Sequence, residues 1–483
     1  MQALLTELRG IVGTGHVLTE GDLSAWENDW RHRANGRALA VVRPANTQEV
    51  AQVVGACHQH LARHPGCGLG IVAQGGNTGL VVGSTPDGNG TQLVLSLQRM
   101  TAVREFDTAN LTLTVEAGCI LKTVQDTAAA QGMLFPLSLA AEGSCTIGGN
   151  LGTNAGGTQV VRFGNARELC LGLEVVTPQG DIWHGLSGLR KDNTGYDLRN
   201  LYIGSEGTLG VITAATLKLY PAPAAQRTVW AAVPSLQAAV DLLGLAHQRL
   251  GAGLTGFEAM GQFALSLVAK HFGHLQVPFL QSYPFCVLIE HSSHESHDHA
   301  RDQLAQLMVT AMAHGCVSDA VLAENLTQAH TLWHVRESIP LAQAREGLNI
   351  KHDISVVVSR IPAFVQETDA LLAQAIPGVR LVNFGHLGDG NLHYNVQAPV
   401  GVDAAGFLLE REPEVNRIVF DAVQRFGGSM SAEHGIGSLK VNHLAHYKCA
   451  VALDTMRAIK RALDPLNLMN PGRVVRLDTS EPT

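Results

Sequence analysis

The stretch EGSCTIGGNLGTNAGG, residues 142–157, determines how we interpret the rest of the chain. Small residues at this density cannot fill a hydrophobic core. They leave backbone N–H groups uncovered and allow positive φ angles. Uncovered amide groups of this kind form a concave site for phosphate oxygens. A second stretch, AQGGNTGL at residues 73–80, follows a predicted strand at residues 69–72. Two such loops predict a ligand that carries more than one phosphate.

Either loop alone is more often a tight surface turn, because short glycine motifs match many unrelated sequences. Residues 68–73, GLGIVA, also match a loose GxGxxA dinucleotide pattern. That fingerprint requires its glycines to lie between a strand and a helix. Here residues 69–72 are themselves the predicted strand, so we reject the dinucleotide interpretation.

Composition narrows the class of protein. A chain of 483 residues is too long for one ordinary domain. With 16% charged residues and a formal net charge of −8, the chain is not expected to bind nucleic acid. The eight cysteines form no CxxC pair, which is typical of reduced thiols in the cytoplasm. The sequence shows no signal peptide and no membrane span, so a cytoplasmic location is expected, with peripheral membrane contact left open.

The alternation of strands and short helices predicts an α+β nucleotide-binding domain at residues 37–222, preceded by a helical segment at residues 1–36. The linker Pro221-Ala222-Pro223 ends this domain. Longer helices then predict a second α+β domain at residues 223–440. A helical segment, residues 441–483, follows it.

The stretch GHLGDGNLHYNV, residues 385–396, predicts a metal site. Asp389-Gly390 is a strong two-residue hairpin turn, because both residues tolerate positive φ angles. Counting outward from this turn places His386 opposite His393, with Cβ atoms about 5 Å apart. Two imidazoles in this position can converge on one cation. Asn395 lies on the same strand face.

Glu433, in SAEHGIG at residues 431–437, is the candidate third ligand. Two histidines and a carboxylate suit Zn²⁺ or Mn²⁺ and leave positions open for substrate oxygens. His434 can serve the same site only if the backbone turns there, as Gly435 and Gly437 allow. Arg336 could grip a carboxylate, and Lys351 could add a second positive charge. From these residues alone, surface charge is the better explanation of both.

These motifs together resemble the vanillyl-alcohol oxidase / p-cresol methylhydroxylase flavoproteins. The loops AQGGNTGL and CTIGGNLGTNAGG, with GSEGTLGVIT at residues 204–213, look like their FAD-binding domain. The later motifs HVRESIP, KHDIS, GHLGDGNLH, SAEHGIG and NPGR are similar to the D-2-hydroxyacid dehydrogenase branch, with the D-2-hydroxyglutarate dehydrogenases closest and the D-lactate dehydrogenases next. The implied fold is α+β, with a two-lobed FAD domain, a substrate domain that caps it, and a C-terminal helical segment that returns to the flavin.

The resemblance also implies roles for individual residues. FAD is expected to be held by Gln74, Gly75, Gly76, Asn77, Thr78, Gly79, Gly143, Ser144, Thr146, Gly149, Asn150, Gly156, Ile212 and Asn470. The expected metal ligands are His386, His393 and Glu433. The expected catalytic base is His434, and the substrate is expected to contact Arg336, Lys351, Asn395 and His434.

The implied reaction is FAD- and metal-dependent oxidation of a D-2-hydroxy acid, with D-2-hydroxyglutarate as the first candidate and D-lactate as the alternative. Pro340 departs from the hydroxyglutarate pattern, in which a hydroxyl residue follows the arginine by four positions. No histidine lies in residues 73–80, so FAD is expected to be dissociable. The expected acceptor is an electron-transfer flavoprotein or a quinone, and a homodimer is compatible with the family.

Two other functions remain open at this point. A flavin oxidase would use the same fold with oxygen as the acceptor. A metal-dependent hydrolase would use the glycine loops to hold a nucleotide substrate, and it would contain no flavin.

Overall fold

The computed structural model describes residues 1–477, and the chain forms two compact units. The first unit contains Met1–Ala155, Asn165–Pro221 and the segment that begins at Glu433. The second unit contains Gly156–Gly164 and Ala222–Ala432. The domain boundaries taken from the sequence, at residues 222 and 440, stay a prediction.

The α-helices of residues 1–477 are, in chain order, α1 (Gln2–Val12), α2 (Ser24–Glu27), α3 (Thr47–Arg63), α4 (Leu121–Ala129), α5 (Ile147–Thr153), α6 (Val160–Phe163), α7 (Arg199–Tyr202), α8 (Leu236–Leu250), α9 (Gln262–His271), α10 (His297–Ala313), α11 (Leu326–Glu337), α12 (Ile339–Glu346), α13 (Ile361–Ala375), α14 (Ala404–Arg425), α15 (Val441–Tyr447) and α16 (Ala450–Leu463).

The strands of the same residues are β1 (Val17–Leu18), β2 (Ala38–Val42), β3 (Gly70–Gln74), β4 (Gln92–Ser96), β5 (Val103–Asp107), β6 (Thr112–Glu116), β7 (Met133–Leu134), β8 (Cys170–Val176), β9 (Ile182–Gly185), β10 (Val211–Lys218), β11 (Tyr220–Pro221), β12 (Ala225–Val233), β13 (Leu254–Gly261), β14 (Phe285–Ser293), β15 (Asp319–Leu322), β16 (Asn349–Ile350), β17 (Asp353–Ser355), β18 (Arg380–Gly385) and β19 (Asn391–Gln397).

The first unit is built on two sheets. One has the order β1-β2-β4-β3, in which β2, β4 and β3 run parallel. Their buried apolar runs are typical of parallel strands that are covered on both faces. The other sheet is antiparallel, with the order β5-β6-β10-β8-β9. Helix α3 begins at Thr47, where the side chain of Asn46 caps it by accepting a hydrogen bond from the backbone N–H of Glu49.

The C-terminal segment packs on the first of these sheets. The backbone N–H of Asn470 donates to the carbonyl of Ile71 at 2.7 Å, and Met469 forms a parallel bridge with Ile71. Strand β3 leads directly into the glycine loop at residues 75–79. The segment therefore returns to that loop, as the resemblance implied.

The N-terminal segment is less helical than expected. Helix α1 ends at Val12, and Gly13 follows it with a φ angle of +87°. Strand β1 then pairs with β2, so residues 17–18 belong to the first sheet. The prediction of a helical segment over residues 1–36 was therefore wrong beyond α1 and the single turn of α2. Glycines at positions 13, 15 and 21 end the helix early.

The second unit is one antiparallel sheet with covering helices. Its strand order is β15-β12-β14-β13-β18-β19-β16, and β17 also pairs with β19. Helices α9, α11 and α12 share a buried apolar core with the strands, which includes Trp230, Met260, Leu288, Leu332 and Val335. Both units combine helices and sheets, so the α+β prediction is confirmed. Within residues 1–477, no helix is both long enough and apolar enough to cross a bilayer.

We predict that Lys460→Met destabilises the first unit. The buried ammonium group donates to the carbonyls of Thr208 and Met469 at 2.8 and 2.7 Å and to the carboxylate of Asp464. Breaking a buried ion pair from one side costs about 3–5 kcal/mol, and urea denaturation measures this loss. Lys122→Met, which removes an exposed ion pair on α4, is the matched control. Equal midpoints for the two variants would contradict the prediction.

We predict that acid weakens the second unit through Glu346. Burial raises the pKa of this carboxyl, but hydrogen bonds from Lys270, Arg380 and His271 lower it more, from 4.5 to about 2. The native state therefore favours the ionised form. The resulting stability is present above pH 4.5 and is lost as the pH falls toward 2. Glu346→Gln should lower the melting temperature at pH 7 and flatten its decline below pH 4.5.

Candidate functional site

A cleft in the first unit lies between the two glycine loops. Ten residues that were expected to hold the cofactor line it: Gln74, Gly75, Gly76, Asn77, Thr78, Gly79, Thr146, Gly149, Asn150 and Ile212. His434 lines it as well. Of the other residues expected to hold the cofactor, Gly143, Ser144 and Asn470 belong to the same unit but are not in its lining, and Gly156 belongs to the second unit.

The two loops approach each other so closely that side chains cannot fit between them. A Cβ atom at Gly75 would lie 2.2 Å from Thr146 Oγ1, and one at Gly76 would lie 2.1 Å from the carbonyl oxygen of Ser144. The side chain of Thr146 caps α5 by accepting from the N–H of Gly149. Glycine is therefore required by close backbone contact at these two positions.

Two buried oxygen atoms beside the cleft accept no hydrogen bond from residues 1–477. Gln74 is 1% exposed, and its Nε2 donates to the carbonyls of Trp26 and Ser84, which leaves Oε1 without a donor. Asn470 is also 1% exposed, and its Nδ2 donates to the carbonyls of Gly83 and Glu206, which leaves Oδ1 without a donor. An unpaired buried oxygen costs about 1–3 kcal/mol. A ligand with N–H or O–H donors would remove this cost.

Glu206 holds the loop that follows His434. Its carboxylate accepts hydrogen bonds from the backbone N–H groups of Ile436 and Gly437, each at 2.7 Å. Burial raises the pKa of Glu206, and these two amides oppose that shift. The residue lines the cleft and has a φ angle of +52°. One side chain therefore joins the motif GSEGTLG to the motif SAEHGIG.

In the second unit, a buried carboxylate orients two of the predicted site residues. Glu258 is fully buried on β13. Its Oε1 accepts from His386 Nδ1 at 2.6 Å, and its Oε2 accepts from Arg336 Nε at 2.7 Å. Burial raises the pKa of Glu258, but Arg336 and His386 lower it more, to about 2. A carboxylate only accepts hydrogen bonds, so Nδ1 of His386 carries the hydrogen that it donates to Glu258.

The predicted hairpin register was wrong. His393 on β19 pairs with Phe384 on β18, not with His386. Residues 386–390 form a longer loop, in which the backbone N–H groups of Asp389, Gly390 and Asn391 all donate to the carbonyl of His386. The two histidines still meet. Their ring centroids are 5.3 Å apart, and their ligand nitrogens lie within 4.8 Å of each other.

The other candidate residues of this unit have definite positions. Asn395 is buried on β19, accepts from the N–H of His352 at 3.1 Å and donates to Gln343 Oε1 at 3.0 Å. Lys351 follows β16, next to His352. Glu433 directly follows Ala432, whose N–H donates to the carbonyl of Asp353, the residue opposite His393. Their predicted contacts with substrate and metal stay predictions.

Comparison with known proteins decides the family. Residues 38–185 match a model described as an FAD binding domain, and residues 222–474 match one described as FAD linked oxidases, C-terminal domain. The chain belongs to the FAD-linked oxidases.

Two relatives support this assignment over nearly the full chain. This FAD-linked oxidase is 40% identical to the D-2-hydroxyglutarate dehydrogenase of Xanthomonas citri pv. viticola, over 94% of this chain and 92% of that protein. It is 38% identical to the mitochondrial D-2-hydroxyglutarate dehydrogenase of Bos taurus, over 95% of this chain and 81% of that protein. The chain is an FAD-dependent D-2-hydroxyacid dehydrogenase, an oxidoreductase that acts on CH–OH donors.

Solved structures agree on the fold. A p-cresol methylhydroxylase aligns with a TM-score of 0.75 at 15% identity, over 99% of this chain and 98% of that one. An alkyldihydroxyacetonephosphate synthase aligns with a TM-score of 0.70 at 16% identity, over 98% and 84%. The predicted p-cresol methylhydroxylase type of fold is therefore confirmed for this FAD-linked oxidase.

The cleft suits FAD. Its glycine loops present backbone amides of the kind that bind phosphate oxygens, and its two unpaired oxygens suit the hydroxyl or N–H donors of a flavin nucleotide. Among the lining residues, His434 and Cys145 are the two that could bond covalently to a flavin. Burial raises the pKa of the Cys145 thiol to about 11, which keeps it protonated and a poor nucleophile.

The sequence did not reveal three residues. Glu258 lies in a strand of mostly apolar residues, LTGFEAMG, where a lone carboxylate must have buried partners. The sequence therefore indicates that Glu258 has buried partners, but it does not indicate which residues they are. Glu206 lies in the motif GSEGTLGVIT, but the resemblance implies no role for it. Gln343, which contacts Asn395, carried no signal.

We predict that Glu206→Gln weakens FAD binding. The new amide nitrogen would face a backbone N–H, so at least one charge-assisted hydrogen bond would be lost, at a cost of about 1.5–3 kcal/mol. The dissociation constant for FAD, measured by fluorescence titration of the flavin-free protein, should rise about tenfold or more. Glu105→Gln on the exposed strand β5 is the control. An unchanged FAD affinity with an intact fold would refute this role.

Proposed function

We propose that this FAD-linked oxidase oxidises D-2-hydroxyglutarate to 2-oxoglutarate, with dissociable FAD and a divalent cation, Zn²⁺ or Mn²⁺. The names of the relatives support the substrate. The observation that supports the metal site is the histidine pair. Glu258 orients His386, and the ring centroids of His386 and His393 are 5.3 Å apart.

The proposed FAD-binding residues are those that line the cleft between the loops, together with Asn470, whose free oxygen lies beside it. The proposed metal ligands are His386 Nε2, His393 and the carboxylate of Glu433. The buried Glu258 makes His386 a better ligand, because a hydrogen bond from Nδ1 to a carboxylate fixes the ring and raises the basicity of Nε2. Chain continuity supports Glu433: it is covalently joined to Ala432, which is hydrogen-bonded to Asp353.

His434 is the proposed base. It follows Glu433 directly in the chain and lines the cleft, so the proposed third ligand and the proposed base are adjacent residues. When bound, FAD supplies a hydride acceptor at N5, and the cation supplies positive charge beside the substrate hydroxyl. His434 would take the hydroxyl proton as the hydride leaves C2.

Arg336 and Lys351 are proposed to hold the distal carboxylate. Arg336 Nε and Nη2 both lie 2.7 Å from Glu258 Oε2, and its guanidinium stacks on the ring of Phe384. These contacts fix the side chain. Asn395 would contact the substrate between the cation and this end.

D-lactate is the second candidate, because Pro340 stands where the hydroxyglutarate pattern has a hydroxyl residue. We propose an electron-transfer flavoprotein or a quinone as the acceptor, and oxygen as the alternative. Peroxide formed in air at the rate of substrate turnover would favour the oxidase. A cytoplasmic location and a homodimer stay predictions.

Anaerobic bleaching of the flavin tests the substrate. The purified protein is mixed with the D and L forms of 2-hydroxyglutarate, lactate and malate. D-2-hydroxyglutarate should reduce the flavin at least tenfold faster than D-lactate, and the L forms should not reduce it. Faster reduction by D-lactate would overturn the diacid assignment, and no reduction by any acid would overturn the proposed reaction class.

We predict that His393→Ala abolishes flavin reduction and retains FAD. The loss should be on the order of 10³-fold or more, because the cation would lack a ligand. Stopped-flow spectroscopy measures the rate, and the ratio of absorbance at 450 to 280 nm measures the bound flavin. His297→Ala, at the exposed start of α10, is the control. Reduction at near the wild-type rate would rule out the metal role.

A further inference from the structure

We propose that Gln343 is a specificity-determining residue whose amide N–H donates to the distal carboxylate of a diacid substrate. The inference rests on the proposed function. It identifies a donor that takes the place of the hydroxyl group that Pro340 lacks. Gln343 lies on α12 and is fully buried, at 0% exposure. Its Oε1 accepts from Asn395 Nδ2 at 3.0 Å, but its Nε2 donates to no acceptor in residues 1–477.

The orientation of this amide follows from a backbone donor. The N–H of His352 can only donate, so the side-chain atom of Asn395 that faces it must be Oδ1. Nδ2 of Asn395 then faces Gln343, which must present Oε1 to it. The remaining atom of Gln343 is therefore the nitrogen. The choice between oxygen and nitrogen, which is often ambiguous for amides, is fixed here by the hydrogen bonds.

The neighbourhood of this amide on β19 is polar. Strand β19 alternates, so Asn391, His393 and Asn395 share one face, while Leu392 and Tyr394 lie on the other. Asn395 is two residues from His393, or about 7 Å along the strand. That distance suits a diacid whose 2-hydroxy end is at the histidines and whose far carboxylate lies beyond Asn395.

A second unpaired group lies on the same helical stretch. The hydroxyl of Ser338 is 1% exposed and has no hydrogen-bond partner in residues 1–477. Ser338 is two residues after Arg336, and Gln343 is one turn after Pro340 on α12. A buried donor without an acceptor costs about 1–3 kcal/mol unless a ligand supplies one. A carboxylate beside Arg336 would supply that acceptor, and Gln343 would replace the hydroxyl that proline cannot provide.

The test is the variant Gln343→Glu. Glutamate keeps an oxygen for Asn395 and has nearly the same volume, but it places a carboxylate where the N–H donor was. The value of kcat/KM for D-2-hydroxyglutarate should fall about 30-fold or more, because a hydrogen bond to a charged group is replaced by repulsion. The value for D-2-hydroxybutyrate, which lacks the distal carboxylate, should change less than threefold. Gln328→Glu, on the exposed part of α11, should leave both values unchanged.

The outcomes separate the two proposals. Equal losses for the diacid and the monoacid, or no loss for either, would overturn the role of Gln343 while the proposed reaction stands. A wild-type protein that oxidises neither acid would instead overturn the proposed function. If Gln343→Glu fails to retain FAD, Gln343→Met takes its place, because methionine has a similar volume and no N–H donor. A loss of tenfold or more for D-2-hydroxyglutarate, with less than a threefold change for D-2-hydroxybutyrate, would support the inference, and equal changes for the two acids would overturn it.

Discussion

One buried carboxylate, that of Glu258, sets the arrangement on which the proposed chemistry of the second unit depends. It holds the ring of His386 with one oxygen and the guanidinium of Arg336 with the other. Burial alone would favour the neutral acid, yet the two partners lower its pKa to about 2. The carboxyl is therefore ionised at neutral pH. A residue that need touch neither substrate nor cofactor thus orients one proposed metal ligand and one proposed substrate-binding residue.

The same ion group explains why these side chains are rigid. An isolated carboxylate at this depth would be prohibitively costly to bury, so the folded unit requires its partners in place. Arg336 is further fixed by stacking on Phe384 at 5.1 Å, and Phe384 pairs with His393 across the hairpin. Packing and charge therefore constrain the same few atoms. Such preorganisation lets a site bind a charged substrate without ordering its own side chains first.

In the first unit, contacts of backbone groups make the site comparably rigid. Its cleft is shaped by glycine contacts too short for any side chain, and Glu206 fixes residues 436–437 by accepting two amide hydrogens. The glycine loops could be predicted because their requirement is local: small residues and amides lie in consecutive positions. Glu258 and Gln343 could not, because their partners lie 78 and 52 residues away in the chain. A pattern in one sequence indicates that a buried polar group needs a partner, but it does not indicate which residue comes to it.

The hairpin shows why a wrong register still led to a correct pair. The prediction placed His386 opposite His393, whereas Phe384 occupies that position, so the register differs by two residues. Side chains alternate with a period of two, so such a shift keeps every residue of β19 on its predicted face, and a shift of one would have reversed them. His386 leaves the ladder and enters the loop, where strand pairing no longer determines its direction. Glu258, on the neighbouring strand β13, fixes the His386 ring through a hydrogen bond to Nδ1, and the ring lies 5.3 Å from that of His393. The convergence of the two histidines thus depends on a tertiary contact, which strand periodicity does not reveal.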